Sequence, residues 1–189
     1  QQSQILELSE KLSLESTTPL INVNNKKIEV YDRDSIPISF EAILENYTNL
    51  VLDFEVLPND IYYVHVKPDA VIDIFQKTTD SLNFTFKTKK ISEYGKIFFN
   101  PIQKKYPLII DLINTKDEVV DSQYLASASD NCVFENILPG EYTIRVIEDK
   151  NENKKRDTGN FLGKIQPEKT YFNDEIIKVR ANWILRESF

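Results

Sequence analysis

The chain has 189 residues, 41% hydrophobic, 28% charged and 11% aromatic, an ordinary globular composition with room for one large domain or two small ones. One Cys, one His, four Gly and no Met exclude a disulfide scaffold, a Cys/His zinc cage and a Walker-type phosphate loop. A formal net charge of −7 and a pI of about 4.9 exclude a nucleic-acid partner, because counterion release would oppose binding.

No apolar run approaches the roughly 18 residues needed to span a bilayer, and no signal peptide is in view. A chain that starts at Gln1 and lacks Met reads as the mature or trimmed part of an exported precursor. Along the first half, apolar and polar residues alternate from Ile5 to Leu14, then in Ile28–Tyr31, Ile36–Phe40, Val51–Val56 and Tyr62–Val66. Period two with β-branched and aromatic residues predicts short strands. Thr18-Pro19, Asn24-Asn25, Asp32-Arg33-Asp34, Pro58-Asn59-Asp60 and Lys67-Pro68-Asp69 punctuate them, a turn spacing that suits a β-sandwich. Between Asp69 and Phe75, the residues Ala70, Ile74 and Phe75 could share one face of a single helical turn before the next strand, Leu82–Phe86.

The alternation breaks around Lys87-Thr88-Lys89-Lys90 and restarts at Tyr94-Gly95-Lys96-Ile97, which predicts a domain boundary near Lys90. Tyr106–Asn114 and Val119–Tyr124 flank the polar turn Thr115-Lys116-Asp117-Glu118, a β-hairpin pattern. Cys132–Phe134, Glu141–Ile147 and one long alternating strand from Glu175 to Leu185 complete the half, with Trp183 at the inward phase. The predicted fold is all-β: two tandem β-sandwich domains, residues 1–90 and 91–189, with at most one short helical turn.

One constellation carries possible chemistry. Asp149, Asn151, Asn153 and Asp157 fall at positions 1, 3, 5 and 9 of a loop, with the Lys155 carbonyl at position 7, the oxygen spacing of an EF-hand-like Ca2+ site. Lys154 replaces the usual Gly at the sixth position, Asn160 stands where a bidentate Glu would close the shell, and Lys150, Lys154, Lys155 and Arg156 add positive charge. The alternative is a solvated turn held by Asx hydrogen bonds. A bound calcium would stiffen the loop and would not be catalytic. Cys132 sits in an alternating stretch and reads as a small buried apolar residue. His65, between Val64 and Val66, faces away from both, as a surface or rim histidine does. Paired acids such as Asp53 and Glu55 read as the wet face of a strand.

Phe134-Glu135-Asn136-Ile137-Leu138-Pro139-Gly140-Glu141-Tyr142-Thr143-Ile144-Arg145 resembles the F-x-N-L-x-P-G-x-Y-x-L-R signature of prealbumin-like and collagen-adhesin-B-type sandwich domains. There, Pro139 presets a tight turn, Gly140 takes a backbone conformation closed to other residues, and Phe134 and Tyr142 plug the core. Asp149–Asn160, then Gln166-Pro167-Glu168 and Val179-Arg180-Ala181-Asn182-Trp183, look like the end of the Ig-like-domain lipoproteins of Bacteroidota. Val66–Phe75 with Asp80–Thr88 is similar to the bacterial Ig-like domain that precedes the prealbumin-like unit in them, although Gln76 stands where that family has Gly.

The resemblance implies an Ig-like domain followed by a prealbumin-like one, export, and attachment to the outer membrane through a lipidated Cys that this piece lacks. Asp34-Ser35-Ile36 and Asp80-Ser81-Leu82 also match the D-[ST]-[apolar] pattern resembling the O-glycosylation site of exported Bacteroidota proteins, with Ser35 and Ser81 as acceptors. Two ordinary turn serines are the other reading. The function expected is a non-catalytic extracytoplasmic structural or interaction module, the C-terminal part of an outer-membrane-associated lipoprotein that docks to another envelope protein. The alternative is a carbohydrate-binding accessory module, with Tyr62, Tyr63, Tyr171, Phe172 or Trp183 stacking on sugar rings.

Overall fold

The computed structural model describes residues 3–102, 104–160, 162–173 and 175–189. The chain is all-β, and it separates into two compact units, Gln1–Ile91 and Ser92–Phe189, the division falling inside a 3-10 turn at Ile91–Glu93. No helix among the described residues is long and apolar enough to cross a membrane.

The first unit holds β1 (Gln4–Ile5), β2 (Leu12–Glu15), β3 (Leu20–Val23), β4 (Ile28–Tyr31), β5 (Pro37–Ile38), β6 (Glu41–Glu45), β7 (Asn49–Asp53), β8 (Ile61–Val66), β9 (Val71–Asp73) and β10 (Leu82–Lys87). One sheet runs β1-β10-β8-β4-β5, a second β2-β7-β6, and β3 pairs with β9. Alternation sets the core: Val30, Tyr62, Val64 and Phe86 point inward from the five-stranded sheet and pack in one cluster with Leu12, Leu50 and Leu52 of the three-stranded one. The hairpin between β6 and β7 turns at Asn46 and Tyr47, both at positive φ (48° and 60°), as a type I′ turn requires.

Two expectations for this half are corrected. The alternating stretch Ile5–Leu14 is not one strand but two, β1 and β2, in different sheets, with a turn between them. The helical turn at Asp69–Phe75 is instead strand β9 followed by a tight turn. Asp69 has φ 57°, which a right-handed helix cannot accept. The Asp73 carboxylate then accepts hydrogen bonds from the backbone N–H groups of Phe75 (2.8 Å) and Lys77 (2.9 Å). Gln76, standing where the resemblance called for Gly, adopts φ 59°, so the left-handed turn survives without glycine. The other short 3-10 turn, Asn25–Lys27, is capped by the Asn24 side chain.

The second unit holds β11 (Gly95–Asn100), β12 (Leu108–Asn114), β13 (Val119–Leu125), β14 (Cys132–Ile137), β15 (Gly140–Glu148), β16 (Thr170–Phe172), β17 (Ile177–Val179) and β18 (Ile184–Ser188). Sheet β14-β11-β18 and sheet β13-β12-β15-β16, with β17 also on β15, enclose one core in which Ile97, Phe99 and Phe134 pack with Leu108, Ile110, Leu112, Ile144 and Val146. Cys132 belongs to this core. Across β12 and β15, Asp111 pairs in register with Arg145, whose guanidinium donates to one carboxylate oxygen through Nε (3.0 Å) and Nη2 (2.7 Å). The Ser122 hydroxyl from β13 donates to the other oxygen at 2.7 Å, so this nearly buried carboxylate is satisfied on both sides.

Two further corrections arise here. Glu175–Leu185 is not one strand: β17 joins β15, β18 joins β11, and between them Asn182 turns the chain at φ 60°. Trp183 therefore loses the inward phase and stands 46% exposed, with the Arg180 guanidinium 4.8 Å above its ring. Gly140, expected in a glycine-only conformation, has ordinary negative-φ backbone, and the left-handed residue of that motif is Asn136 at φ 55°. Asn136 sits where β14 gains a residue against β11, the register slipping between Gly95 and Ile97, which is a β-bulge. Gly140 instead leaves room for the Tyr142 ring, since a Cβ there would come within 3.3 Å of it.

Candidate functional site

The long connection from β15 to β16 carries the candidate cation loop. Asp149 follows the last residue of β15 and is fully buried. Its own N–H donates to the Pro107 carbonyl (3.0 Å), which holds the loop entrance against the start of β12. Its carboxylate accepts from the backbone N–H groups of Asn153 (3.3 Å) and Lys154 (2.8 Å). Asn151 Oδ1 accepts from Asn153 N–H (3.3 Å), and Asn153 Oδ1 from Lys155 N–H (2.8 Å), a nested series of Asx turns. Both amide groups, Asn151 Nδ2 (2.6 Å) and Asn153 Nδ2 (3.1 Å), donate to Asp157 Oδ2. Four of the predicted residues, Asp149, Asn151, Asn153 and Asp157, are thus brought together, and Lys155 joins them through its backbone.

Lys154 has φ 61°, the left-handed conformation that the sixth position of such a loop demands and that Gly would adopt without strain. Its ammonium lies 5.1 Å from the centre of the Tyr124 ring. The Tyr124 phenol is pushed up, by desolvation first and then by the nearby Asp149 and Glu152 carboxylates. Asn160 takes no part in the cluster. It pairs with Ile165 in a separate small turn and accepts from Gly163 N–H at 2.9 Å. The twelfth position therefore does not close the loop.

Glu168 does, and sequence reasoning missed it. Its carboxylate accepts from Lys150 N–H (2.9 Å) through one oxygen and from Asp157 N–H (3.0 Å) through the other, and its own N–H donates to the Asp157 carbonyl (3.1 Å). Gly159 permits this return: it has φ 80°, and a Cβ there would stand 2.7 Å from both the Ile165 carbonyl oxygen and the Pro167 nitrogen. The available signal was the segment Gln166-Pro167-Glu168, which belongs to the family-like pattern. The donors are hard oxygens of the kind calcium takes. In this structure they are turned onto the loop's own N–H groups, and among the described residues no group of three or more His, Cys, Asp or Glu side chains is placed to hold a metal ion.

The other singled-out residues are scattered. Tyr62 is 1% exposed, its hydroxyl accepts from Leu57 N–H (2.6 Å) and Phe54 packs edge-on at 5.1 Å, so it cannot stack on a ligand. The reason is phase: Tyr62 shares the inward side of β8 with Val64. Tyr63 and His65 lie on the opposite, outward side, and His65 makes an edge contact with Tyr31 at 5.6 Å. Tyr171 donates its hydroxyl to Glu148 (3.0 Å) under the Lys104 ammonium, while Phe172 is exposed. Burial pushes the Cys132 thiol up to about 12, so at neutral pH it is a protonated core group and not a nucleophile. Ser35 lies exposed in a turn built on Asp32, at φ 62°, and Ser81 lies exposed before β10.

No protein-family model and no curated protein sequence matches this chain. Among solved structures, it is similar to the N-terminal part of the bacterial S-layer protein SbsC at 8% identity and a TM-score of 0.42, over 97% of this chain and 43% of that one. It is similar to BcpA, the major pilin subunit of Bacillus cereus, at 10% identity and a TM-score of 0.31, over 94% and 55%. It is also similar to the Bacillus anthracis TIE protein at 11% identity and a TM-score of 0.28, over 95% and 34%. The chain spans about half the length, or less, of these proteins. The fold assignment rests on the strand pairings described above.

Proposed function

We propose that this chain is a non-catalytic structural and interaction module of the bacterial cell envelope, the C-terminal part of an outer-membrane-associated, lipid-anchored protein of the Bacteroidota Ig-like type, docking to another envelope protein. The observation that carries the reading is the exposure of apolar side chains on terminal strands of the second unit. β13 ends its sheet with Val119 and Val120 at 48% and 41% exposed, and β18 ends the other with Ile184 at 66%. Unpaired strand edges with apolar side chains are the features by which a β protein adds a partner strand or seats an apolar anchor. The resemblance of residues 134–145 and 149–160 to envelope proteins supports the address. In the parent cell, the protein is expected in the outer-membrane fraction, in stoichiometric complex with one membrane protein, and Val119→Lys with Val120→Lys is expected to release it without lowering its melting temperature. Recovery in the cytoplasm, or an unchanged complex in the double variant, would sink the reading.

Calcium is proposed as a structural ligand of the Asp149–Asp157 loop. The oxygen spacing of Asp149, Asn151, Asn153, Lys155 and Asp157 supports this, together with the left-handed backbone at Lys154. A bound ion would draw the Asn151 and Asn153 oxygens and the Asp157 carboxylate together. A rise in melting temperature with calcium that is abolished by Asp157→Ala is expected, and identical melts with calcium and with chelator would remove the metal.

A further inference from the structure

The outward face of the five-stranded sheet in the first unit carries an aromatic platform that the edge-strand reading does not use. On β4, Ile28 and Val30 point into the core and Tyr31 points out; on β8, Tyr62, Val64 and Val66 point in, while Tyr63 and His65 point out. Register places Tyr31 directly beside Tyr63, and Glu29 directly beside His65. The three rings therefore adjoin on one face of the sheet, with Tyr31 and His65 in edge contact at 5.6 Å and their planes 70° apart. Together with Ser35 from the turn after β4, they line a groove of about 390 Å³, within the roughly 300–1,000 Å³ of small-molecule sites.

Polar groups frame the rings. Across the next ladder, Thr85 stands beside Tyr63 and Asn83 beside His65, both on the outward phase because Phe84 and Phe86 join the core. The Glu29 carboxylate accepts from the Lys67 ammonium, which, chiefly through that hydrogen bond, holds its pKa below the usual range. Glu29 is thus an anion at neutral pH with acceptor capacity to spare. Aromatic rings left half open to water on a sheet face, and rimmed by a carboxylate, an amide and hydroxyls, match a ligand with an apolar face and a hydroxyl-bearing edge.

We propose that this face binds a neutral pyranose unit of a polysaccharide, its C–H face stacked on Tyr31 and Tyr63 and its hydroxyls directed to Glu29, Asn83 and Ser35. Long-range charge favours the neutral sugar: Glu29 is compensated by its ion pair with Lys67, but the net charge of −7 disfavours uronic or sialic acids. A proline-rich peptide could also lie on tyrosines, but it brings no hydroxyls to the polar rim of the groove, and its tighter binding is an outcome of the test below. The site is independent of β13 and β18, so its failure leaves the edge-strand reading standing, and the reverse holds.

The full chain is applied to an array of neutral and acidic polysaccharides, and the strongest neutral hit is cast into native affinity gels. Retardation is expected in the neutral gel, with affinity falling about tenfold in Tyr31→Ala and in Tyr63→Ala, the loss of one stacked ring. Tyr63→Phe, which keeps the ring, is expected to retain binding. His65→Ala, at an exposed position, gives a third ring deletion whose folding is not in question and is expected to weaken binding too. Absence of any neutral hit, binding to acidic polysaccharides alone, tighter binding of a polyproline peptide, or retardation of Tyr31→Ala, Tyr63→Ala and His65→Ala equal to that of the unmutated chain would each overturn the proposal.

Discussion

Gln76, Asn136 and Lys154 hold left-handed backbone at φ 59°, 55° and 61°, and each does so at a point where the chain must turn or bulge. Side chains with a Cβ resist that conformation by about 1–2 kcal/mol, asparagine least. Gln76→Gly is therefore expected to stabilise the first unit by about 1 kcal/mol, read as a higher midpoint in urea. Asn136→Val, a β-branched residue in the bulge, is expected to destabilise the second unit by about 2 kcal/mol in the same assay. Asp73 adds a pH dependence to the Gln76 turn. The Lys77 N–H above all, then the Phe75 N–H and the Thr18 hydroxyl, hold its carboxyl below the usual range against the opposing effect of burial. A carboxyl depressed in the folded state stabilises fully above its unfolded pKa of about 3.9, and that contribution is lost as pH falls through the lower folded value. Asp73→Asn is expected to flatten the acid limb of a pH series of melting temperatures below about pH 4, and an unchanged limb would contradict this account of the turn.

At the scale of elements, the pairing of β12 with β15 is stitched by Asp111 and Arg145, whose side chains are only 7% and 17% exposed. Removing one partner strands a mostly buried charge, so Arg145→Ala is expected to cost about 3 kcal/mol, while Asp111→Leu with Arg145→Met costs much less. Equal costs for the single and the double change would show that the pair does not act as one. The β15–β16 loop is held differently, by Glu168 spanning Lys150 and Asp157. Glu168→Ala is expected to raise amide exchange at residues 150–157 before any change in global stability.

The same elements show what was legible beforehand. β4, β8, β10 and β15 announce themselves through alternating β-branched and aromatic residues, because each has one face in a core, whereas β12 shows as the largely apolar run of residues 108–113, buried on both faces. β3, β9 and β16 are three or four residues long, show no clean alternation in Leu20-Ile21-Asn22-Val23, Val71-Ile72-Asp73 or Thr170-Tyr171-Phe172, and exist only through distant partners. β17 and β18 read as a single strand because alternation runs on through Asn182, whose readiness for positive φ was the overlooked signal. The loop cluster was legible as far as spacing reaches, from Asp149 to Asp157. Glu168 lay beyond it, because its arrival depends on a chain reversal around Gly159.

At the scale of the whole molecule, each unit has its own apolar cluster. Fragments 1–91 and 92–189 are therefore each expected to melt cooperatively when expressed alone, and a non-cooperative melt of either would contradict a separate core. The docking proposed for this protein uses exposed strand edges in the envelope. Site-specific photo-crosslinking in living cells, with a benzophenone residue at Val120 on β13, tests that most directly. The account predicts one discrete adduct with an outer-membrane protein, absent when the probe sits at Lys116 in the preceding turn. No adduct at Val120, or the same adducts from both positions, would contradict it.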